Sequence, residues 1–420
     1  MKVMENERKI YHLINDLPHI YELEDMIRFC RKHGKIYIYG RGGQQELLLK
    51  YLDMCRISVS GYVVTVKKET DDTDFHYRKM PVHTFESVKD DSETGLLLAL
   101  PDRYYGQIIP MFRKNRFENY FIMTEFNKRS IACQVRPRKK EELTFEVSLV
   151  DHCNLSCQMC DHYSQLSDPW FVDMDQFERD MIRMGSLCEH RLACISLLGG
   201  EPTLHPHIMD CMRITREQFP DTEIIVLTNG TLLVSLEESE QGNFWQVCRK
   251  YDIHITVTVY PIRLDYEAIE RKAAEYGVTL ALSSDVHAKA LTRDVKISDK
   301  HTLDLSGSVE RFYCINCLYF NKFCVLKDGK IYMCPVAAHS DIFNKHFGQH
   351  LELAEEDYLD IYQIDSWRQI AEFSCQYVPF CSYCDLKHWG HHSEWKASSR
   401  EIDEYIGGPD HGVSCSEQRR

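Results

Sequence analysis

Three cysteines, Cys153, Cys157 and Cys160, fall in one short stretch directly after the apolar run Thr144–Val150. A strand leading into such a loop places three thiols together at one end of a sheet. The chain has 420 residues and 18 cysteines, seven of the others clustered late: Cys314, Cys317, Cys324, Cys334, Cys375, Cys381 and Cys384. In a reducing compartment, clustered cysteine points to metal binding or redox chemistry more than to disulfides. The start, Met1 to Arg8, is polar with no apolar signal core behind it, and no apolar run is long enough for a membrane span. A cytoplasmic protein without a membrane span is therefore expected.

The net charge is −14. Nucleic-acid binding draws on clustered Lys and Arg. The one basic run, Arg136-Pro137-Arg138-Lys139-Lys140, is followed at once by Glu141-Glu142 and reads as a solvated linker. No nucleic-acid partner is expected.

Two series of strands alternating with helical stretches predict an α/β protein with parallel sheets. The first comprises residues 35–40, Ile57–Val66, Leu96–Leu100 and Tyr120–Met123, with a helix from Gln44 to Tyr51. It defines an N-terminal Rossmann-like domain, residues 1–134. The second comprises Thr144–Val150, Ala193–Leu198, Glu223–Leu227, His254–Tyr260, Thr279–Ser283 and Thr302–Leu305. Helices are expected at Met174–Leu187, Pro206–Gln218, Phe244–Tyr251 and Tyr266–Tyr276. Six β/α units predict a partial (β/α)6 barrel over residues 143–308, with its chemistry at the C-terminal ends of the strands. Residues 309–420 form a Cys-rich extension.

Three thiolates from one loop can hold three irons of a four-iron cubane and leave the fourth open to a small chelator. A zinc site needs a fourth ligand, for which His152 or His162 would serve. The Cys-x3-Cys-x2-Cys spacing resembles the signature of the radical S-adenosylmethionine (SAM) superfamily. Gly199-Gly200-Glu201-Pro202, after the second strand of the series, is similar to the family's GGEP motif. The resemblance implies a [4Fe-4S] cluster on Cys153, Cys157 and Cys160, and SAM as cofactor. It also implies SAM contacts from Met159, Gly199, Gly200, Glu201, Pro202, Thr228 and Asn229, with Glu201 receiving the SAM amino group. Asp161, His162 and Tyr163 extend the cysteine loop and are candidate substrate contacts.

The late cysteines are similar to the Twitch or SPASM extension of radical SAM enzymes. That resemblance implies one auxiliary [4Fe-4S] cluster on Cys334, Cys381 and Cys384, with Cys317 or Cys324 as fourth ligand; a zinc site is the alternative. The isolated cysteines, Cys194 among them, read as core residues. Gly40-Arg41-Gly42-Gly43 follows a strand and opens a helix, a geometry that presents N–H groups to phosphate. It lacks the third glycine of a dinucleotide fingerprint, and no acidic residue ends the next strand, so an NAD role is weak. The domain resembles the nucleotide-binding-type module of sugar O-acyltransferases, and the chain resembles radical SAM proteins of cell-surface carbohydrate loci. The implied activity is hydrogen abstraction from a sugar or polyol, free or nucleotide-linked, by a 5′-deoxyadenosyl radical. It would end in dehydrogenation or epimerisation, with a one-electron reductant such as flavodoxin or ferredoxin as partner. The rival readings are a peptide-modifying radical SAM enzyme and a non-enzymatic iron–sulfur or zinc protein.

Overall fold

The structure, a computed structural model, describes residues 23–67, 77–124, 127–128, 131–132, 135–237, 242–283, 297–299, 302–310, 317, 319–385, 391–392 and 395–406. Cys133, Cys314, Trp389 and Cys415 lie outside them. The chain divides into two compact units, one built on residues up to Arg136 and the other on Pro137 onward.

The first unit holds five parallel strands: β1 (Lys35–Tyr39), β2 (Gly61–Val64), β3 (Val82–Thr84), β4 (Thr94–Leu98) and β5 (Tyr120–Ile122), in the order β3-β2-β1-β4-β5. Side chains alternate across a strand, so β1 feeds two cores. Ile36 and Ile38 pack with Met26, Leu48 and Leu52 from the helices Leu23–Lys32 and Gly43–Met54. Tyr37 and Tyr39 pack with Ile109 and Phe112 of the helix Tyr105–Lys114. Burial on both faces explains the near-continuous apolar runs. The second strand begins at Gly61 and not at Ile57, because Ile57 N–H still caps the preceding helix, bonding Leu52 O at 2.9 Å.

The second unit carries β6 (Thr144–Val150), β7 (Cys194–Gly199), β8 (Glu223–Thr228), β9 (Ile253–Thr258), β10 (Leu280–Ser283), β11 (Ile297–Asp299), β12 (Cys324–Lys327), β13 (Lys330–Tyr332), β14 (Tyr358–Asp360) and β15 (His391–His392). Its main sheet runs β10-β9-β8-β7-β6-β12-β13-β14, while β11 and β15 form a separate antiparallel pair. Strands β6 to β10 and β12 are parallel. Helices Met174–Leu187, Ile208–Gln218, Phe244–Lys250 and Tyr266–Tyr276 link β6 to β10. Three start on side-chain caps: Asp173, Asn243 and Asp265 accept from Gln176, Gln246 and Ala268 N–H at 3.0, 3.0 and 2.9 Å. Among the described residues, no helix is long and apolar enough to cross a membrane.

The sixth parallel strand is not the one expected. Thr302–Leu305 stays outside the sheet, where Leu303 makes only isolated bridges with Cys384 and Ile406. Its place beside β6 is taken by the fully buried β12. A two-residue turn, Asp328-Gly329, then reverses the chain into β13, both residues at positive φ (49° and 71°). Asp-Gly is a preferred pair for such a hairpin, since both positions require left-handed backbone. The Cys-rich extension thus continues the central sheet.

On β6 to β9 the side chains alternate strongly. Phe145, Val147, Leu149, Ile195, Leu197, Ile224, Val226, Ile253 and Ile255 are buried. Glu146, Ser196, Ile225, His254 and Thr256, on the opposite face, keep part of their surface exposed. One face is sealed by apolar packing, and the other is left with polar groups.

Candidate active site

The loop after β6 is wound tightly around its thiols. Met159 and Tyr163, on either side of Cys160, have φ of 62° and 52°, a left-handed conformation that side chains disfavour. The C-terminal segment pins the loop from outside: Gln158 N–H donates to Lys396 O, and Ser398 N–H to Ser156 O, both at 2.9 Å. Leu155 N–H donates to Cys153 Sγ at 3.3 Å. Tyr260 lies close to all three cysteines, and Trp395 lies beside Cys157.

The end of β7 presses onto this loop. Gly200 N–H bonds Val150 O at 2.6 Å, and Glu201 N–H bonds His152 O at 3.1 Å. A Cβ on Gly199 would lie 2.1 Å from Val150 O, and one on Gly200 would lie 2.0 Å from His152 O. Only glycine permits this approach, and Gly199 also holds φ 139°. Pro202 begins a short 3-10 turn that carries Thr203.

Glu201 has a structural role beside the one its motif implies. Its carboxylate is 0% exposed and accepts four hydrogen bonds from within the protein. Oε1 takes Thr203 N–H (3.0 Å), Thr203 Oγ1–H (2.5 Å) and Thr228 Oγ1–H (2.6 Å), while Oε2 takes Asn229 N–H (2.8 Å). Burial raises its pKa, and these donors offset the rise. Through these bonds Glu201 ties the end of β7 to the end of β8. Asn229 extends that tie: its Nδ2 donates to Asn154 Oδ1 at 2.7 Å and lies 3.7 Å from Cys153 Sγ. Asn154 Nδ2 in turn donates to Thr231 Oγ1 at 2.7 Å. Met159, expected at a cofactor surface, is 8% exposed and packs in a cluster with Tyr163, Phe343 and Tyr405.

The late cysteines sort into two places. Cys317, Cys334, Cys381 and Cys384 gather, each of Cys317, Cys334 and Cys384 feeling the charge of others in the set. Cys334 caps the helix Pro335–Ala338, while Cys381 lies in and Cys384 ends the turn Pro379–Tyr383. Cys324 does not join them. It opens β12 opposite Phe145, is 1% exposed, and has Arg138, Cys375 and Cys188 as its electrostatic neighbours. Its strand position points it away from the set, so Cys317 remains as the fourth member.

The donor chemistry fits clusters larger than one ion. Desolvation pushes Cys153 and Cys317 up to about 12, and raises Cys157, Cys160, Cys334 and Cys384 as well. Thiolates gathered this way need a cationic group to hold them ionised. A tetrahedral zinc site puts its sulfurs about 3.8 Å apart. Among the described residues, the one set of three donors lying within 4.8 Å of one another is Cys160, Asp161 and His162, and neither cysteine set is that compact.

Of the candidate substrate contacts, Asp161 and His162 form a hydrogen-bonded pair, Oδ1 to Nδ1 at 2.8 Å, and Asp161 Oδ2 accepts from Tyr319 Oη–H at 2.6 Å. Tyr163 is 2% exposed and packs on Phe343 and Tyr405 at ring distances of 5.2 and 5.6 Å. Cys384 and Cys334 are among the groups whose charge its phenol feels. Cys188, Cys211 and Cys248 are buried, and Cys194 is partly exposed on β7. In the first unit, Gly40 turns the chain at φ 88° and Gly43 opens its helix. Glu46, in that helix's first turn, is 8% exposed, a carboxylate where a phosphate would be received. Tyr260, Trp395, Asn154 and Thr231 were not legible as site residues. Tyr260 and Trp395 come from distant segments and carry no spacing signal, while Asn154 lies inside the cysteine loop and Thr231 directly follows the Thr228-Asn229-Gly230 turn.

Residues 147–241 match the family model of the Radical SAM superfamily. No curated protein matches the chain. Among solved structures, BtrN in complex with AdoMet and 2-DOIA aligns at 17% identity, covering 60% of this chain and 94% of that one, with a TM-score of 0.37. Native anSMEcpe with bound AdoMet aligns at 14% identity, over 58% and 89%, with a TM-score of 0.36. Streptococcus suis SuiB bound to S-adenosylmethionine aligns at 13%, over 56% and 72%, at 0.25.

Proposed function

We propose that this chain, which carries a radical SAM domain at residues 147–241, oxidises or epimerises a hydroxyl-bearing carbon of a sugar or polyol. A [4Fe-4S] cluster with SAM supplies, when bound, a 5′-deoxyadenosyl radical that abstracts hydrogen. Cys153, Cys157 and Cys160 would hold that cluster, and Cys317, Cys334, Cys381 and Cys384 a second one, able to take the electron that oxidation releases. Gly199 and Gly200 bring bare backbone against the cysteine loop, as close binding of a small cofactor requires. Glu201, Thr228 and Asn229 hold that backbone in place through their mutual hydrogen bonds. Glu201 Oε2, which accepts one internal bond, is the acceptor proposed for the SAM ammonium group.

The observation that carries the reading is the fit between the three-thiol loop and the Gly199-Gly200 turn, with a second four-cysteine set in the same unit. The reading includes a cytoplasmic enzyme, with the strand–loop–helix of the first unit as a place for the nucleotide part of a linked sugar. Glu46 argues against a phosphate directly on that helix, so a free polyol is the simpler substrate.

The test is anaerobic reconstitution followed by metal analysis and a SAM-cleavage assay. About eight irons per chain are expected, four per cluster, falling to about four when Cys153, Cys157 and Cys160 are all replaced by alanine. With dithionite, SAM should give 5′-deoxyadenosine, faster with myo-inositol or UDP-glucose present. Iron content unchanged in the triple variant, or a protein that binds zinc alone, would sink the assignment.

A further inference from the structure

Two glutamates of the second unit contrast sharply. Glu201 has both oxygens bonded internally and is fully enclosed. Glu146 is placed differently. It stands on β6 between Ser196 of β7 and Val325 of β12, on the face opposite Phe145 and Val147. Its Oε2 is buried and has no hydrogen-bond partner among the described residues. Native chains seldom leave such an atom uncompensated, and those that do often need it for a ligand.

A second unpartnered atom lies nearby. His162 is 8% exposed, and Glu146 and His162 are close enough for each to shift the other's ionisation. Asp161 holds His162 through Nδ1, and Tyr319 holds Asp161. This leaves His162 Nε2 buried and without a partner among the described residues. The pair sits beside the cysteine loop, since His162 follows Cys160 by two positions, and it belongs to the sheet face that carries polar groups.

We propose that Glu146 and His162 form a subsite for a hydroxyl group of the substrate, with Glu146 as a specificity-determining residue. The inference rests on the reading that the three-thiol loop and its cofactor act on this same sheet face. Burial pushes the Glu146 carboxyl up to about 8, so near neutral pH it is held largely uncharged. An uncharged carboxyl both donates and accepts, which matches a hydroxyl; a cation would call for a carboxylate held ionised. His162 draws the Glu146 carboxyl down and Asp161 pushes it up, both against the larger effect of burial, and Asp161 is itself bonded to His162 and Tyr319.

The test uses the full-length reconstituted protein with SAM bound. Myo-inositol and UDP-glucose serve as free and nucleotide-linked hydroxyl probes, and cyclohexylamine as a cationic control. By isothermal calorimetry, at least one hydroxyl probe should bind saturably. Glu146→Met should weaken that binding at least about tenfold, while Glu146→Gln, which keeps a donor and an acceptor, should weaken it far less. Thermal midpoints of both variants should equal or exceed the parent's, as expected when an unpartnered polar group is removed or neutralised. Variants that bind as the parent does, cyclohexylamine binding in place of both hydroxyl probes, or no probe binding to a SAM-loaded parent would overturn the subsite. So would midpoints several degrees lower in both variants, which would make Glu146 a structural group. A parent that fails to bind SAM would instead sink the reading of the cofactor site, so the two failures are distinct.

Discussion

Replacing Glu146 by glutamine should change the pH dependence of stability, and the sign follows from burial. The carboxyl titrates near 4.5 when unfolded and at about 8 when folded. Between those values the unfolded chain has released a proton that the folded chain still holds. Stability is therefore fully present below the unfolded value and lost as pH rises toward 8. A two-state treatment of this one group gives a loss of about 2.5 kcal/mol between about pH 5.5 and about pH 7.5, at 1.36 kcal/mol per unit. Movement of neighbouring side chains and water entry would reduce it to about half. Glutamine cannot titrate, so the variant should gain on the parent by about 1–2.5 kcal/mol over that range, most of it above pH 6. Paired denaturant titrations at several pH values measure the difference directly, and the subtraction removes every other titrating group. An advantage for Glu146→Gln that stays flat with pH would refute the enclosed, neutral carboxyl.

Gly200→Ala should cost about 3 kcal/mol or more, because its Cβ would lie 2.0 Å from His152 O and backbone must move on both sides; chemical denaturation of the metal-free protein measures it, and a loss under 1 kcal/mol would remove the close approach. Glu201→Ala leaves the N–H of Thr203, the N–H of Asn229 and the hydroxyl of Thr228 without their acceptor, each worth about 1–3 kcal/mol when buried. A large drop in melting temperature without any SAM present is the expected sign, and a change confined to SAM affinity would remove the structural role. His339 is 0% exposed and depressed to about 4 by burial and by Lys327. A base with a lowered folded value loses stability as pH falls from about 6.5 toward 4, by up to about 3 kcal/mol. His339→Gln should flatten that acid limb in a pH series of unfolding curves, and an unchanged limb would contradict it.

Much of the fold was legible because alternation is. Phe145, Val147 and Leu149 against Glu146 and Ser148 mark a strand with two different faces before any coordinates exist. The sixth strand was misplaced for a physical reason. Thr302–Leu305 and Cys324–Lys327 are equally short and apolar, and only pairing decides between them. The Asp328-Gly329 hairpin was the available signal, and it is local. The membership of Cys317, and the separation of Cys324, required three dimensions: both cysteines precede Gly329, and spacing treats them alike.

Glu201 shows how a carboxylate marked by a motif also serves the structure around it. A conspicuous carboxylate beside two glycines suggests a partner for a charged ligand. The same carboxylate is in direct reach of four internal donors, which lets it fix local geometry as well. Glu201 ties the ends of β7 and β8 together, and Asn229 extends that tie to Asn154 inside the cysteine loop. The same reasoning inverts for Glu146, which has no sequence motif to mark it. Its signal is the absence of donors around a buried oxygen, a property of packing alone. Where bonded carboxylates hold a site together, the unbonded one faces what the site receives.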